Sequence, residues 1–530
     1  MTHLPIRDSL DADVLVVGGG PAGASAAARL AAGGARVVVL EQRTFPRDKV
    51  CGDFVGPSAL MELEALGISC RPDYLATNVI RHATLYLDGR ELISRSLPKV
   101  EPLPTYGRCI PRLLLDRWIM DVAREAGALV LEGVRVTHFD VTGDGVSVNA
   151  QRGGEPVRLR AQLLIGADGS SSVIGRLVRG SAPADENRII AVRAYYEGVE
   201  APEDRADLFF SAKSFPGYSW LFPTGAGQAN VGVGMALATL PPNVDHLREL
   251  LLDLVASDPA LAARLRRARL CGKIVGWPLT TYDDRLPLVC DRVLLVGDAA
   301  GFINPLNGEG IQYALASGRW AAETALACIS DQEFAIAQLM PYVRRAKRQL
   351  RFDMALGALI VQFIRNRHLN PVWIGALQVI CSRARIDEEY ADVTGGILCG
   401  LSPGRNALSL KVLRRTLDEA LYSALLGTAW TLLKGPTQLM ARGVDLFHAG
   451  ARKTTELLTD PRPLAEWIIG LLGQGSELTL SFAQHLNSEP AARTAPPPLY
   501  ASSARVSLTP RAVSRPTDPY IGRERRLRDQ

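Results

Sequence analysis

The chain has 530 residues, of which 47% are hydrophobic and 22% are charged, and this composition excludes a wholly disordered, collagen-like or disulfide-stapled protein. The net charge is +5, but residues 489–530 hold eight arginines against four acidic residues. The rest of the chain is therefore nearly neutral, which removes the main argument for a nucleic-acid partner.

Eight cysteines are scattered along the chain, without a C-x-x-C pair or a cysteine–histidine spacing suited to zinc. We therefore expect a reducing compartment and no structural metal. The first residues lack the basic start and long apolar centre of a signal peptide. No apolar stretch approaches the roughly 18 residues that span a bilayer. These features predict a cytoplasmic protein, and peripheral contact with a membrane surface stays open.

The first predicted unit, residues 13–42, consists of an apolar strand, a glycine turn, an alanine-rich helix and a second strand. Gly18, Gly20 and Gly23 fit the pattern G-x-G-x-x-G, in which they make the tight turn, admit a pyrophosphate and let helix and strand pack closely. Glu41 ends the second strand, where a carboxylate can bind ribose hydroxyls. The unit predicts a dinucleotide site, and the glycines alone do not separate NAD from FAD.

Two later regions predict a sheet-based second domain. Residues 79–99 alternate in polarity around Asp88 and Gly89, which predicts an antiparallel hairpin. Residues 189–236 hold several β-rich runs separated by Gly and Pro. Residues 291–328 then return to the pattern of strand, glycine loop and helix, so the first domain is predicted to be discontinuous.

The C-terminal part is predicted to be helical because apolar residues recur at i, i+3 and i+4. The predicted helices cover residues 342–363, 417–433, 439–458 and 464–472. Their apolar faces are either packing surfaces or an interfacial anchor that brings a lipid or a carrier-bound substrate to the protein. Residues 489–530 contain seven prolines and few large apolar side chains, so a disordered basic tail is predicted there.

Three glycine motifs in this order resemble the two-domain FAD fold of para-hydroxybenzoate hydroxylase: GGGPAG at 18–23, GADGS at 166–170 and GDAAGFINPLNGEGI at 297–311. Within that order, FPRDKVCGD at 45–53 and PGYSWLFP at 216–223 resemble the geranylgeranyl reductase family. The similarity covers roughly residues 10–410. It implies an α/β fold, in which an FAD-binding Rossmann-like domain is interleaved with an antiparallel-sheet substrate domain and followed by a C-terminal helical extension.

The resemblance also implies domain boundaries and cofactor contacts. The expected FAD-binding domain comprises residues 10–78, 105–188 and 285–330, the substrate-binding sheet domain comprises 79–104 and 189–284, and the helical region is 331–488. By the same carry-over, Gly18, Gly20, Gly23 and Glu41 bind the ADP half of FAD, and Asp298 binds the ribityl chain. Arg112 begins an R-x-x-L-D segment whose helix either flanks the FAD or places the arginine on the surface.

Cys51 has two interpretations. A free cysteine is commonly a small buried hydrophobe. Here the cation of Lys49 and the permissive Gly52 are expected to expose the thiol and lower its pKa. In the family pattern this cysteine lies beside flavin and substrate, which makes Cys51 the first candidate for the acid of the reaction.

Tyr218, Trp220 and Phe222 alternate along a predicted strand, so they point to one face of the sheet. They are either sheet core or one wall of an apolar cavity beside the flavin, the second being implied by the resemblance. Tyr218 is also the second candidate for the acid. The segment is one residue shorter before the tyrosine than the archaeal family pattern, so the contact of Tyr218 and the identity of the substrate stay open.

The leading hypothesis is an FAD-dependent oxidoreductase that reduces C=C bonds of an apolar, isoprenoid or polyene-like substrate by hydride transfer from reduced flavin. NAD(P)H, binding transiently, or a ferredoxin would supply the electrons, because no second dinucleotide fingerprint occurs. The main alternative is an FAD-dependent monooxygenase that hydroxylates or epoxidises a similar substrate. A third is a non-catalytic escort that carries a prenyl group. The oligomeric state is not specified by the sequence.

Overall fold

A computed structural model of the chain describes residues 11–182, 184, 187–240, 247–366, 369–433 and 462–487. The predicted helix at 439–458 and the predicted tail at 489–530 lie outside the described residues. The strands are β1 Asp11–Val17, β2 Val37–Glu41, β3 Phe54–Val55, β4 Asn78–Ile80, β5 His82–Leu87, β6 Arg90–Ser96, β7 Gly107–Cys109, β8 Leu129–Glu132, β9 Val134–Thr142, β10 Gly145–Arg152, β11 Glu155–Gly166, β12 Arg188–Glu197, β13 Arg205–Phe210, β14 Tyr218–Gly225, β15 Gln228–Ala236, β16 Arg269–Thr280, β17 Val289–Cys290 and β18 Val293–Leu295.

The helices are α1 Pro21–Ala32, α2 Pro57–Ala65, α3 Pro72–Leu75, α4 Arg112–Glu125, α5 Val173–Arg179, α6 Leu247–Ser257, α7 Pro259–Arg264, α8 Gly297–Ala300, α9 Ile311–Asp331, α10 Ile336–Ile364, α11 Asn370–Ile386, α12 Glu388–Leu398, α13 Leu410–Leu433 and α14 Arg462–Asn487. Among the described residues, no helix is long and apolar enough to cross a membrane.

The first sheet has its strands in the order β17-β18-β11-β1-β2-β8, with β10 and β9 continuing from β11. The central pairs are parallel, including β1 with β2 and β11 with the late strand β18. Parallel strands covered on both faces are apolar along their whole length, and residues 14–17 and 37–40 are buried throughout. α1 packs on this sheet, and α4 and α9 pack against α1. Because β1, β2, β11 and β18 are parallel, their carboxyl ends lie at one edge of the sheet.

The second sheet has seven strands in the order β16-β12-β15-β14-β13-β5-β6. It is antiparallel except for the parallel pair of β13 with β5. α6 and α7 cover one face, where Leu221, Val231 and Val233 pack against leucines of these helices. The predicted hairpin at Asp88 and Gly89 is confirmed, because β5 and β6 pair across these two residues, both of which have positive φ.

The helical extension differs in detail from its prediction. The predicted helix at 342–363 lies inside α10, and the predicted helix at 417–433 begins earlier, at Leu410. α11 and α12 were not predicted, because Pro371, Gly375 and the pair Gly395-Gly396 interrupt the apolar period in that stretch. In the structure these helices gain their order from packing, since Ala384 and Tyr390 join Val412 of α13 in a buried cluster.

Candidate active site

The glycine turn between β1 and α1 is shaped by close backbone contacts. Gly18 has a φ of +102°, and a Cβ atom placed on it would lie 2.3 Å from the carbonyl oxygen of Ala167. A Cβ atom on Gly23 would lie 2.0 Å from the carbonyl oxygen of Gly18. At Gly20 the nearest atom is a guanidinium nitrogen of Arg47, at 3.8 Å. The turn is therefore closed toward the protein at Gly18 and Gly23 and open at Gly20.

The first turn of α1 leaves its N–H groups available. Gly20 caps the helix and has no side chain to accept a hydrogen bond from them. Free N–H groups and the positive end of the helix dipole suit an anionic pyrophosphate, and the open side at Gly20 lets it approach.

Glu41 is buried at the end of β2 and is fixed beside this turn. Its carboxylate accepts hydrogen bonds from the backbone N–H of Gly19, at 2.8 Å, and of Arg43, at 2.9 Å. The guanidinium of Arg47 lies 3.4 Å away. Each carboxylate oxygen has two lone pairs, so acceptor capacity remains for the hydroxyls of a ribose.

Asp298 lies on α8, directly after β18. Its carboxylate pairs with the ammonium of Lys49 at 2.9 Å and accepts a hydrogen bond from the Ser170 hydroxyl at 3.1 Å. Burial acts to raise the pKa of Asp298, but the cations of Lys49 and Arg112 outweigh it and hold that pKa below its ordinary value. Asp298 is thus a carboxylate that can accept from ribityl hydroxyls. Asp168 instead accepts from Ser172 and the first N–H groups of α5, away from this contact.

Arg112 is 3% exposed, so its interpretation as a surface arginine is wrong. Its guanidinium forms two hydrogen bonds to Asp116, at 2.6 and 2.8 Å, and Arg47 also binds Asp116, at 2.9 Å. The charge of Arg112 acts on both Asp298 and Cys51. The helix α4 therefore brings a fixed cation close to both Asp298 and Cys51.

These residues fit FAD. The open glycine turn would hold the pyrophosphate, Glu41 the ribose and Asp298 the ribityl chain, in the order in which these groups follow one another in the cofactor. The fit rests on the shape of the backbone at Gly18, Gly20 and Gly23 and on two carboxylates whose positions are fixed by hydrogen bonds.

The Cys51 loop runs between the two sheets. The thiol is half-buried, and its Sγ accepts a hydrogen bond from the N–H of Asp53 at 3.4 Å. The expected lowering of its pKa is wrong. Lys49 pairs with Asp298 instead, and burial raises the pKa of Cys51 although Arg112 opposes this. The thiol therefore stays protonated at neutral pH, as a proton donor requires.

The three aromatic residues of β14 form one continuous row, here called the aromatic wall and defined as Tyr218, Trp220 and Phe222. Neighbouring ring centroids are 6.3 and 6.2 Å apart. A Cβ atom on Gly52 would lie 3.1 Å from the Phe222 ring and 3.4 Å from Nε1 of Trp220. The wall therefore packs directly against the Cys51 loop, on the sheet face opposite α6 and α7.

Trp220 lies across the neighbouring strand β15. A Cβ atom on Gly232 would come within 2.2 Å of the indole. The indole N–H donates to Oδ1 of Asn230 at 3.0 Å, and the Asn230 amide donates to the carbonyl oxygen of Cys51 at 2.7 Å. The wall and the Cys51 loop are thus joined through Asn230.

Comparisons with known proteins agree with this geometry. A family model described as an FAD binding domain matches residues 11–202. A menaquinone reductase of Mycolicibacterium smegmatis is 37% identical over 328 residues, which cover 59% of this chain and 76% of that protein. Digeranylgeranylglycerophospholipid reductase 2 of Methanopyrus kandleri is 32% identical over 384 residues, which cover 68% of this chain and 90% of that protein. The chain belongs to the geranylgeranyl reductase family of FAD-dependent oxidoreductases.

A solved structure supports the fold of this family member. A geranylgeranyl bacteriochlorophyll reductase-like protein of Thermoplasma acidophilum superposes with a TM-score of 0.58 at 23% identity, covering 78% of this chain and 97% of that chain. The predicted combination of an FAD-binding Rossmann-like domain, an antiparallel sheet and C-terminal helices is therefore confirmed.

Tyr218 stands at the other end of the aromatic wall from the Cys51 loop. Its hydroxyl donates to the carbonyl oxygen of Asn307 at 2.5 Å. Burial raises the pKa of Tyr218, and the nearby Glu309 and Cys399 add to the effect. The structure thus separates the two candidate acids of this reductase-family protein.

Two acids of the site, the buried Asp53 and the half-buried Glu309, were missed by the sequence analysis. Asp53 has a φ of +63°, and burial raises its pKa to about 6. Burial raises the pKa of Glu309 to about 8, and the Gln312 amide donates to its carboxyl at 2.9 Å. The available signals were local: Asp53 follows Gly52 in the cysteine motif, and Glu309 stands between two glycines before α9.

Proposed function

We propose that this protein reduces carbon–carbon double bonds of an apolar, isoprenoid or polyene-like substrate. The observation that carries the proposal is the placement of the Cys51 loop, which packs against the aromatic wall while the charge of the buried Arg112 acts on the thiol. The relatives support the substrate class, because menaquinone reductase and digeranylgeranylglycerophospholipid reductase are named for lipids with isoprenoid chains.

The mechanism assigns separate tasks to the residues. Reduced FAD, when bound, supplies the hydride for one alkene carbon. The glycine turn, Glu41 and Asp298 bind and orient the cofactor, and the aromatic wall orients the apolar chain and excludes water. Cys51 supplies the proton: its S–H bond breaks while a C–H bond forms at the second alkene carbon. Arg112 stabilises the thiolate that remains.

Cys51 suits the role of the acid better than Tyr218. The hydroxyl proton of Tyr218 is held by the carbonyl oxygen of Asn307, which has no proton to give back. In addition, the phenolate of Tyr218 would form beside Glu309, whereas the thiolate of Cys51 would form beside Arg112. Tyr218 therefore acts as part of the wall that contacts substrate, together with Trp220 and Phe222.

The electrons are proposed to come from NAD(P)H or a ferredoxin that binds only transiently. The glycine motif of residues 18–23 is the one dinucleotide fingerprint in the sequence, and it is assigned to FAD. The donor therefore needs no dedicated Rossmann domain of its own in this chain.

The C-terminal helices are proposed to contact the lipid phase that holds such a substrate. α13 carries an exposed apolar stripe formed by Leu410, Leu413, Leu417 and Leu421, of which Leu410 is 86% exposed. Not every apolar residue of the extension is available, since Trp467 packs on α10 through a 2.8 Å hydrogen bond to the carbonyl oxygen of Gln362. An exposed stripe of this kind suits peripheral contact with a membrane.

The test is anaerobic. The FAD-loaded protein is reduced with dithionite, geranylgeranyl diphosphate or a menaquinone is added in detergent, and the flavin absorbance is followed before air is admitted. Reoxidation by the alkene, with a product heavier by two hydrogens per bond, is expected. Oxygenated product that forms only after air enters would establish the monooxygenase instead. A flavin that no donor reduces would establish the escort.

A further inference from the structure

Asp53 is a buried acidic residue whose backbone lies in a region that favours glycine. Asp53 follows Gly52 and precedes Phe54. Its φ of +63° lies in the left-handed region, where a glycine would be unstrained. The side chain is completely buried. Strain of this kind persists where the surroundings fix the residue, and here hydrogen bonds from Tyr195 and Asn230 hold the carboxyl group.

Only one of the two oxygens of the Asp53 carboxyl has hydrogen-bond partners among the described residues. Oδ2 accepts hydrogen bonds from the Tyr195 hydroxyl, at 2.6 Å, and from the Asn230 amide, at 2.9 Å. Oδ1 is buried and has no hydrogen-bond partner among the described residues. A buried carboxylate oxygen without a partner is costly, whereas a protonated one can donate its hydrogen.

Asp53 is coupled to Cys51 in two ways. Its backbone N–H donates to Sγ of Cys51, and the same Asn230 amide that binds the carboxyl also binds the carbonyl oxygen of Cys51. A negative charge on Asp53 raises the pKa of the thiol. The protonation states of the two groups are therefore coupled.

Tyr195 continues this chain of groups toward the surface. It is half-buried on β12, and the guanidinium carbon of Arg193 lies 4.5 Å from the centre of its ring. Arg193 pairs in turn with Asp48, whose side chain is 45% exposed. A proton that reaches Tyr195 from this side needs two further transfers to arrive at Cys51.

We propose that Asp53 and Tyr195 form the proton path that reloads Cys51 after each reduction, an inference that rests on the proposed function. The O–H bond of the Asp53 carboxyl breaks and the S–H bond of Cys51 forms. The carboxylate then takes the hydroxyl proton of Tyr195 while Tyr195 takes one from water. No electron moves in these steps, and the net change is one proton from solvent to the thiolate.

The charges around Asp53 suit this exchange. Burial raises its pKa to about 6, while the hydrogen bonds from Tyr195 and Asn230 and the cations Arg193 and Arg112 work against burial. The other titratable neighbours are thiols: Cys51 itself, and the buried Cys109 on β7, whose pKa is raised. With a pKa of about 6, Asp53 can both accept and release protons in the pH range of the reaction.

The first measurement concerns the thiol itself and needs no turnover. In FAD-loaded protein, Cys51 is alkylated with iodoacetamide between pH 6 and 10 and quantified by peptide mass spectrometry, with the exposed Cys70 as internal reference. Asp53→Asn removes the charge that raises the thiol pKa, so the midpoint for Cys51 should move to lower pH, with a rate at pH 7 at least about threefold higher. An unchanged profile overturns the coupling.

The second measurement separates the first proton from later ones. Protein reduced with dithionite is mixed anaerobically with geranylgeranyl diphosphate or a menaquinone, whichever reoxidises the wild-type flavin. In Asp53→Asn and Tyr195→Phe, the first reoxidation should stay within about twofold of wild type, because Cys51 starts protonated. Steady-state turnover should fall about tenfold or more. Tyr196→Phe is the control, since Tyr196 faces the opposite side of β12, in the core under α6.

Three outcomes overturn the proton path: steady-state turnover of both variants like that of wild type, an equal loss in first and later turnovers, or the same loss in Tyr196→Phe. If the alkene does not reoxidise wild-type flavin, the proposed function fails and the path with it. In that case a shifted alkylation profile would still demonstrate the coupling of Asp53 to Cys51, so the two failures are distinguishable.

Discussion

The two ends of the candidate site are built by different means. The first end, here called the FAD cradle, consists of the glycine turn and Glu41 within residues 13–42, and Asp298 joins it from α8. It relies on backbone contacts that leave no room for a side chain at Gly18 and Gly23. The Cys51 end is assembled from β12, β14, β15, α4 and one loop, and it works through buried side chains whose charges depend on one another. The first end fits a cofactor through the shape of its backbone. The second end sets the pKa values of its side chains through burial and neighbouring charges.

The substitution Gly20→Val tests FAD binding by the cradle separately from the chemistry at Cys51. The backbone at Gly20 is extended and its Cβ position is open, so the chain should fold without FAD. Its free energy of unfolding should fall by about 1 kcal/mol, because valine is a poorer N-cap than glycine. The new side chain would occupy the pyrophosphate position, and we expect FAD affinity to fall at least about 100-fold. Isothermal titration with FAD and thermal unfolding measure both effects.

Gly34→Ala is the matched control for the cradle. Gly34 has a φ of +89° but nothing within 4 Å of its Cβ position. This variant should lose about 1 kcal/mol of stability from backbone strain and bind FAD like wild type. Full flavin occupancy in Gly20→Val would contradict the assignment of the pyrophosphate to this turn.

The second prediction isolates the other end. Cys51→Ala should retain FAD and accept electrons from dithionite, but its rate of alkene reduction should fall about 10² to 10⁴-fold, because only the acid is missing. Flavin spectra and single-turnover reoxidation separate the two properties. Cys70→Ala, which removes an exposed thiol, should behave like wild type. Reduction within twofold of wild type in Cys51→Ala would transfer the role of the acid to another group.

The third prediction uses pH. Burial raises the pKa of Glu309 to about 8 from an ordinary 4.5, so the folded state binds more protons than the unfolded state between these values, and stability falls as pH rises through this range. Glu309→Gln should gain about 2 kcal/mol over wild type between pH 5 and pH 8, less than the full shift because the side chain keeps some exposure. Urea unfolding with excess FAD measures it.

Glu155→Gln, an exposed position on β11, is the control for Glu309 and should show no such pH-dependent gain. An equal gain in both variants would mean that the general charge of the protein, and not the burial of Glu309, sets the pH dependence.

The smallest expected effect concerns the lipid contact of α13. Leu417 is 63% exposed, and Leu417→Asp should weaken binding to lipid vesicles about tenfold, since burial of one leucine contributes about 1.5 kcal/mol or more. Co-flotation with vesicles measures the bound fraction. Leu252→Asp on α6 is the matched control at 48% exposure. An equal loss of vesicle binding in both variants would contradict a specific role of α13 in lipid contact.

The contrast between the two ends also explains what the sequence could predict. The cradle follows from contiguous residues, because Gly18 and Gly23 are required by backbone contacts within one strand–turn–helix unit or with the segment after the neighbouring strand, and Gly20 leaves the turn open. The pKa of Cys51 does not follow from contiguous residues. The cation nearest to it in sequence is Lys49, and Lys49 pairs with Asp298, which lies 249 positions further along the chain. The sequence-based direction was therefore wrong for a reason that only tertiary structure contains.

Asp53 and α11 illustrate the same limit on different scales. The motif around Cys51 was recognised, but the bonds of Asp53 to Tyr195 and Asn230 span 142 and 177 positions. α11 and α12 carry Gly and Pro at positions that weaken a helical period, and packing compensates for them. Periodicity detects elements that are stable by local rules, and it misses those that depend on their neighbours.

Gly232 makes room for one residue of the aromatic wall. The indole of Trp220 occupies the space that a side chain at 232 would take, although Gly232 belongs to β15 and not to the wall. Any larger residue there would meet both the Trp220 indole and the carbonyl oxygen of Val192. The packing of the wall therefore depends on a residue of the neighbouring strand, and a substitution at that position would alter the wall while residues 18–23 and Cys51 stay unchanged.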